Sequence, residues 1–169
     1  LACVSAARPK IADYHFTTLE PSLGVVNTAA DRGFVMADIP GLIEGASEGA
    51  GLGHDFLRHI ERCRLLVQVV DASGIEGRDP CDDLNTISAE LESFSPELAA
   101  RPRIVAANKC DMLEGGDSEA VERLEKLAAA AGYPTVRIST ATRMGIDTLL
   151  GMIEGELAKL PPVTVYESE

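Results

Sequence analysis

The chain has 169 residues, a quarter of them charged and 46% hydrophobic, which suits one soluble domain built around one core. Its 27 acidic side chains against 15 basic ones give a formal net charge of −12, which opposes broad, sequence-independent binding to nucleic-acid phosphates. Four Phe, three Tyr and no Trp are too few for a single-strand stacking platform, although a local basic contact with RNA stays open.

In chain order, residues 24–28 and 33–38 flank the turn signal Ala30-Asp31-Arg32-Gly33 and read as a β-hairpin. Leu52, Phe56 and Ile60 recur at helical spacing. Residues 65–71 are an almost continuous apolar run, as expected of a strand covered on both faces. Leu84, Ile87, Leu91 and Phe94 mark the next helix, and residues 103–108 the next strand. Val121, Leu124, Leu127 and Ala131 mark a helix after a cap at Asp117. Residues 135–139 form a further strand, and Ile146, Leu149, Leu150, Ile153, Leu157 and Leu160 give the clearest amphipathic stripe. Pro161-Pro162 stops that helix. Residues 1–160 therefore read as one domain, and residues 161–169 as a linker towards a possible C-terminal domain. The alternation of strands and helices predicts an α/β fold, a mostly parallel sheet with helices on both faces.

No apolar run approaches the ~18 residues of a membrane span, and the first residues lack the regions of a signal peptide. Cys3, Cys63, Cys81 and Cys110 are scattered without a CxxC pair and read as reduced thiols of a cytoplasmic protein. His15, His54 and His59 have no metal-ligand spacing.

Ligands of such sheets bind at the carboxyl ends of the strands, which directs attention to Asp38, Asp71, Asn108 and Ser139. Asn108-Lys109-Cys110-Asp111 follows an apolar run. An Asn amide can donate to N7 or O6 of guanine, and a carboxylate three residues later can accept from N1–H and the 2-amino group. Adenine offers that carboxylate no proton at N1. The lysine stem can lie across the base with its ammonium in water. An Asn/Asp-rich turn is the plainer alternative. Asp38-Ile39-Pro40-Gly41 is a DxxG pattern. Its Asp suits Mg²⁺, held through water, and Gly41 suits a close main-chain approach to a γ-phosphate, whereas the plainer reading is a Pro-Gly turn. The glycine-rich stretch that follows, with Glu44 and Glu48, suits a segment that orders on one ligand and relaxes on another. Phe16-Thr17-Thr18-Leu19 offers a threonine hydroxyl to the same cation. Ser139-Thr140-Ala141 offers main-chain N–H groups to guanine O6, or serves as a loop or helix cap.

The run from Lys10 through Phe16, Thr17, Thr18, Leu19 and Glu20 to Gly24 closely resembles the switch I region of the Obg family of GTPases. The run from Asp38 to His54, with Phe56 to Arg62 after it, resembles switch II of that family. The resemblance implies a Ras-like P-loop GTPase fold that binds GTP and GDP and hydrolyses GTP. It implies Mg²⁺ held by Thr18 and Asp38, nucleotide contacts from residues 16–20, 38–41 and Cys110, guanine reading by Asn108, Lys109 and Asp111, and a base loop at Ser139, Thr140 and Ala141. The family usually has Ser-Ala where this chain has Ser139-Thr140. The resemblance further implies a monomer acting in assembly of the large ribosomal subunit, with its rRNA and proteins as partners.

No GxxxxGK[ST] phosphate loop occurs in these residues. By the resemblance it would end just before Leu1, with the first strand of the sheet upstream of it, so the chain reads as a fragment. Taken alone it is expected to bind GTP weakly, and a partner-binding pseudo-GTPase or inert fragment is the competing reading. A remoter alternative, an ATP-binding protein, leaves Asp111 without a purpose. Leu42 and Ile43 stand where Ras-type enzymes place a water-orienting Gln. Slow intrinsic hydrolysis is therefore expected, with no catalytic residue identified. Arg58, Arg62 and Arg64 are candidates for an RNA contact or a solvated helix face.

Overall fold

A computed structural model describes residues 1, 3–5, 10–11, 22–28, 33–38, 61–113 and 119–161. The elements run β1 (Lys10–Ile11), β2 (Ser22–Val26), β3 (Phe34–Asp38), β4 (Leu66–Asp71), α1 (Pro80–Phe94), α2 (Pro96–Ala99), β5 (Arg103–Asn108), a 3₁₀ turn (Cys110–Met112), α3 (Glu119–Ala130), β6 (Thr135–Arg137) and α4 (Ile146–Lys159). The helix expected around Leu52, Phe56 and Ile60 and the cap at Asp117 lie outside the described residues.

The described strands form two three-stranded sheets, one antiparallel and one parallel, and the parallel one carries helices on both faces as the α/β reading expects. Strands β1, β2 and β3 are antiparallel, with Val26 opposite Phe34 next to the turn, and Ser22 opposite Asp38 at the open end, of the hairpin read from the sequence. Strands β4, β5 and β6 are parallel, in the order β4-β5-β6. Parallel neighbours cannot be joined by a tight turn, and α1 with α2, then α3, supply the crossovers. Strand β6 ends two residues earlier than expected. Ile138 still donates to the Ala107 carbonyl and accepts from Cys110 N–H, but Ser139 has left the ladder.

Strand β5 is the centre of this sheet, buried from Arg103 to Ala107. Its odd-numbered side chains, Val105 and Ala107, pack with Val70, Leu84, Val121, Leu124 and Ala128 under α1 and α3. Its even-numbered ones, Ile104 and Ala106, pack with Val136, Ile138, Ile146, Leu149 and Ile153 under α4, where Phe34 and Met36 of the hairpin join them. Helices thus cover both faces, as the apolar stripes of α3 and α4 require. Strand β4 departs from its expected double cover. Gln68 and Val70 are buried towards α1, but Val69 on the opposite face is 53% exposed.

Polar devices fix the crossovers. Asp79 caps α1 by accepting from Cys81 N–H at 2.8 Å, and its other oxygen meets Arg123 of α3 at 3.0 Å. Ser95 ends α1 and caps α2 through Leu98 N–H. Arg103 is 3% exposed. Its guanidinium donates to Gln68 and Ser88 and lies 4.6 Å from the centre of the Tyr133 ring, and burial pushes its pKa down. Among the described residues, no helix is long and apolar enough to cross a membrane.

Two glycines separate a backbone constraint from a packing constraint. Gly132 (φ +81°) ends α3 in a Schellman motif, with Tyr133 N–H on Ala128 O and Gly132 N–H on Ala129 O, and a Cβ there would meet open space. Gly145 (φ +71°) opens α4, and a Cβ there would lie 2.1 Å from the Arg137 carbonyl oxygen. Gly132→Ala should cost about 1 kcal/mol from the left-handed conformation alone. Gly145→Ala should cost at least twice that, because its strain adds to a main-chain clash. Chemical denaturation of the two variants measures the difference, and equal losses would contradict the clash.

Candidate functional site

The carboxyl ends of β4, β5 and β6 lie side by side because the parallel register sets Asp71 opposite Asn108 and Ala107 opposite Arg137. At that edge the chain makes two abrupt turns. Lys109 (φ +64°) and Arg143 (φ +66°) are the two non-glycine residues with positive φ among the described residues. Such a conformation costs on the order of 1 kcal/mol or more in a side chain of this type, and it is maintained where the surroundings enforce it.

The turn at Lys109 ends the strand and starts the 3₁₀ turn that carries Asp111. The Asp111 side chain is exposed and has no hydrogen-bond partner among the described residues, so both oxygens are open to a ligand. Cys110 points the other way. It is 5% exposed, packs in the core under α1 and α3, and donates Sγ–H to the Ala107 carbonyl at 3.2 Å. Burial pushes its thiol pKa up, which suits a packing residue rather than a nucleophile.

Asn108 links this turn to the loop after β6. Its Oδ1 accepts from Thr140 N–H at 3.1 Å, and its Nδ2 lies 3.5 Å from Thr140 Oγ1. Ser139 is fully buried. Its N–H donates to the Met144 carbonyl, and its Oγ accepts from Thr142 N–H at 3.1 Å, so it shapes the loop from within. The N–H groups of Ser139 and Thr140 are therefore engaged inside the protein. Ala141 N–H has no acceptor among the described residues and is the open main-chain donor of the three. Arg143 donates to the Cys3 carbonyl at 2.6 Å and ties the start of the chain to the same loop. Leu1, Cys3, Thr140 and Arg143 line an open depression of about 570 Å³ there.

Sequence reasoning marked Asp71 as a strand-end residue but gave it no role. Its Oδ1 accepts from Ser73 N–H at 2.9 Å and from Ser73 Oγ at 2.6 Å, and its Oδ2 meets Lys109 Nζ at 2.6 Å. Burial raises the Asp71 pKa, but the bonds from Lys109 and Ser73 outweigh it and hold the carboxyl below its ordinary value. The Asp71 bond in turn raises the pKa of Lys109.

Asp38 lies at the end of β3, exposed, its side chain without a hydrogen bond among the described residues. Phe16, Thr17, Thr18, Leu19, Glu20, Ile39, Pro40 and Gly41 lie outside the described residues, as do His15, His54, His59 and Arg58. Among the described residues no cluster of three or more His, Cys, Asp or Glu could hold a metal, so Asp38 stands as a single carboxylate donor. Arg64 donates to the Pro161 carbonyl at 3.0 Å.

The shifts of the ion pair have a definite sign. A lowered Asp71 pKa contributes stability above the unfolded value of about 3.9 that is lost as pH falls through the folded value. A raised Lys109 pKa contributes stability below about 10.4 that is lost as pH rises through its folded value. Asp71→Asn should therefore lower the urea midpoint by a constant amount between about pH 5 and 9, and the gap from the parent should shrink below about pH 4. A gap that persists unchanged at pH 3 would show that the carboxylate charge is not what matters.

The model of the 50S ribosome-binding GTPase family matches residues 1–109. The chain is 50% identical over 169 residues to GTPase Obg of Alkaliphilus metalliredigens, and 53% identical over 169 residues to GTPase Obg of Bacillus licheniformis. It is 56% identical over 168 residues to GTPase Obg of Heliobacterium modesticaldum. These alignments cover 99–100% of the chain but 37–39% of each relative, so the chain spans about two fifths of the length of the curated proteins it matches. The chain belongs to the 50S ribosome-binding GTPase family, and within it resembles the Obg GTPases along its whole length.

Proposed function

We propose that this chain is the guanine-nucleotide domain of a GTPase that converts GTP and water to GDP and phosphate and acts as a switch in assembly of the large ribosomal subunit. Residues 1–160 form that domain and residues 161–169 lead towards a further one. The protein works as a cytoplasmic monomer, with rRNA and proteins of the subunit as partners. The observation that carries the reading is Asn108-Lys109-Cys110-Asp111 at the end of the buried central strand, with Asp111 open and Asn108 bonded to the Ser139–Ala141 loop.

Each group has a distinct task. Asp111 accepts from N1–H and the 2-amino group of guanine, and the remaining Nδ2 hydrogen of Asn108 is available to N7 or O6. Ala141 N–H is available to O6, whereas Thr140 N–H keeps Asn108 oriented. Phe16, Thr17, Leu19 and Glu20 form the nucleotide-adjacent loop. By the resemblance Gly41 would give its N–H to the terminal phosphate, with Ile39 and Pro40 among the nucleotide contacts. The open carboxylate of Asp38 is the hard oxygen donor that Mg²⁺ takes, and Thr18 and Asp38 would hold the ion, which when bound neutralises charge on the terminal phosphates. Catalysis is then positioning and charge neutralisation. Leu42 and Ile43 cannot orient water through their side chains, so intrinsic hydrolysis is slow and acceleration comes from a ribosomal partner, a monovalent cation or another side chain such as Glu44 or Glu48.

In a full-length protein carrying a phosphate loop, Asp111→Asn should weaken GTP binding by on the order of 100-fold, because a charged pair of acceptor oxygens is replaced by a neutral amide with one acceptor oxygen and an NH₂ that faces the base's own donors. The same variant should gain affinity for xanthosine triphosphate, whose base carries a carbonyl in place of the 2-amino group. Competition binding with GTP, xanthosine triphosphate and ATP reads both changes. Unchanged preference in the variant, or a parent that takes ATP as well as GTP, would overturn the reading.

A further inference from the structure

The Asp71–Lys109 pair has a geometry that a stray surface ion pair lacks. Asp71 is not a free carboxylate that happens to meet a lysine. Two bonds from Ser73 fix Oδ1, which leaves Oδ2 facing Lys109 at 2.6 Å. The Lys109 backbone is fixed as well, by its left-handed turn and by the Met112 N–H bond to its carbonyl. With both ends held, the lysine methylenes span the gap between the carboxyl ends of β4 and β5, where ligands of open α/β sheets bind. Lys109 remains 43% exposed along its side chain, so the stem is not buried by protein and one flank stays open.

We propose that Asp71, oriented by Ser73, is a positioning residue that holds the Lys109 side chain stretched across the guanine pocket before nucleotide arrives. The inference rests on the reading of this edge as a guanine-nucleotide site. A lysine side chain free to choose its rotamers loses much of that freedom when it settles on a base, and that loss is subtracted from affinity. Asp71 imposes the loss during folding instead. Glu76 adds a weaker attraction of the same sign but no hydrogen bond, so it does not define a direction.

A double-mutant cycle on GDP affinity in the full-length protein tests this, with Asp71→Asn and Lys109→Met alone and together. Asp71→Asn should weaken GDP binding about five- to ten-fold in the parent, and by less than about two-fold once Lys109 is methionine. Ser73→Ala should show a smaller loss with the same dependence on Lys109, and it keeps the test available should Asp71→Asn fold poorly. Equal losses from Asp71→Asn or Ser73→Ala in both backgrounds would mean that they act through general stability, and would overturn the proposal. A parent protein that binds ADP as tightly as GDP would instead overturn the guanine reading, and this inference with it.

Discussion

Strand β5 is buried on both faces, and everything at the site follows from how the chain leaves it. A strand packed between α1 and α3 on one side and α4 on the other cannot continue past the edge of the sheet without exposing apolar side chains. The chain turns at Lys109 into a left-handed conformation. That turn keeps Cys110 in the core and projects Asp111 into solvent one residue later. The core therefore fixes where the Asp111 carboxylate stands, and the loop itself needs little internal structure.

Two side chains then extend this fixed point sideways. Asn108 reaches the loop after β6 through Thr140, and Lys109 reaches the end of β4 through Asp71. Three strand ends are joined by polar contacts at the one edge where the parallel sheet leaves its strand ends to project. The Arg143–Cys3 bond extends the same network to the start of the chain. Each contact is modest by itself, since the Lys109–Asp71 pair is half-exposed and screened. Their shared effect is to set the relative position of the groups proposed to meet one planar base.

The elements that proved legible in the sequence were those written in contiguous residues. The apolar run ending in Asn108 marks the central strand, the turn signal Ala30–Gly33 marks the hairpin, and the stripe from Ile146 to Leu160 marks α4, which ends at Lys159 with Leu160 as its cap. What escaped was written across distance. Asn108 and Thr140 are 32 positions apart, Asp71 and Lys109 are 38 apart, and Cys3 and Arg143 are 140 apart, so no local pattern pairs them. The exposure of Val69 escaped for a related reason: an apolar side chain shows that a strand can be covered, whereas cover depends on what packs there. Left-handed turns at a lysine and an arginine also carry no compositional mark, unlike those at Gly132 and Gly145. In the Ser139–Ala141 loop the division of labour is equally non-local: Thr140 N–H serves Asn108, whereas Ala141 N–H has no acceptor among the described residues.

The central claim is that the Asp111 carboxylate reads the 2-amino group and N1–H of guanine from a position set by the β5 core. The most direct measurement is the affinity of the full-length protein for GDP against inosine diphosphate, which keeps N1–H and lacks only the amino group. Loss of one charge-assisted hydrogen bond predicts inosine diphosphate weaker by about ten-fold or more. Equal affinity for the two nucleotides would contradict the account.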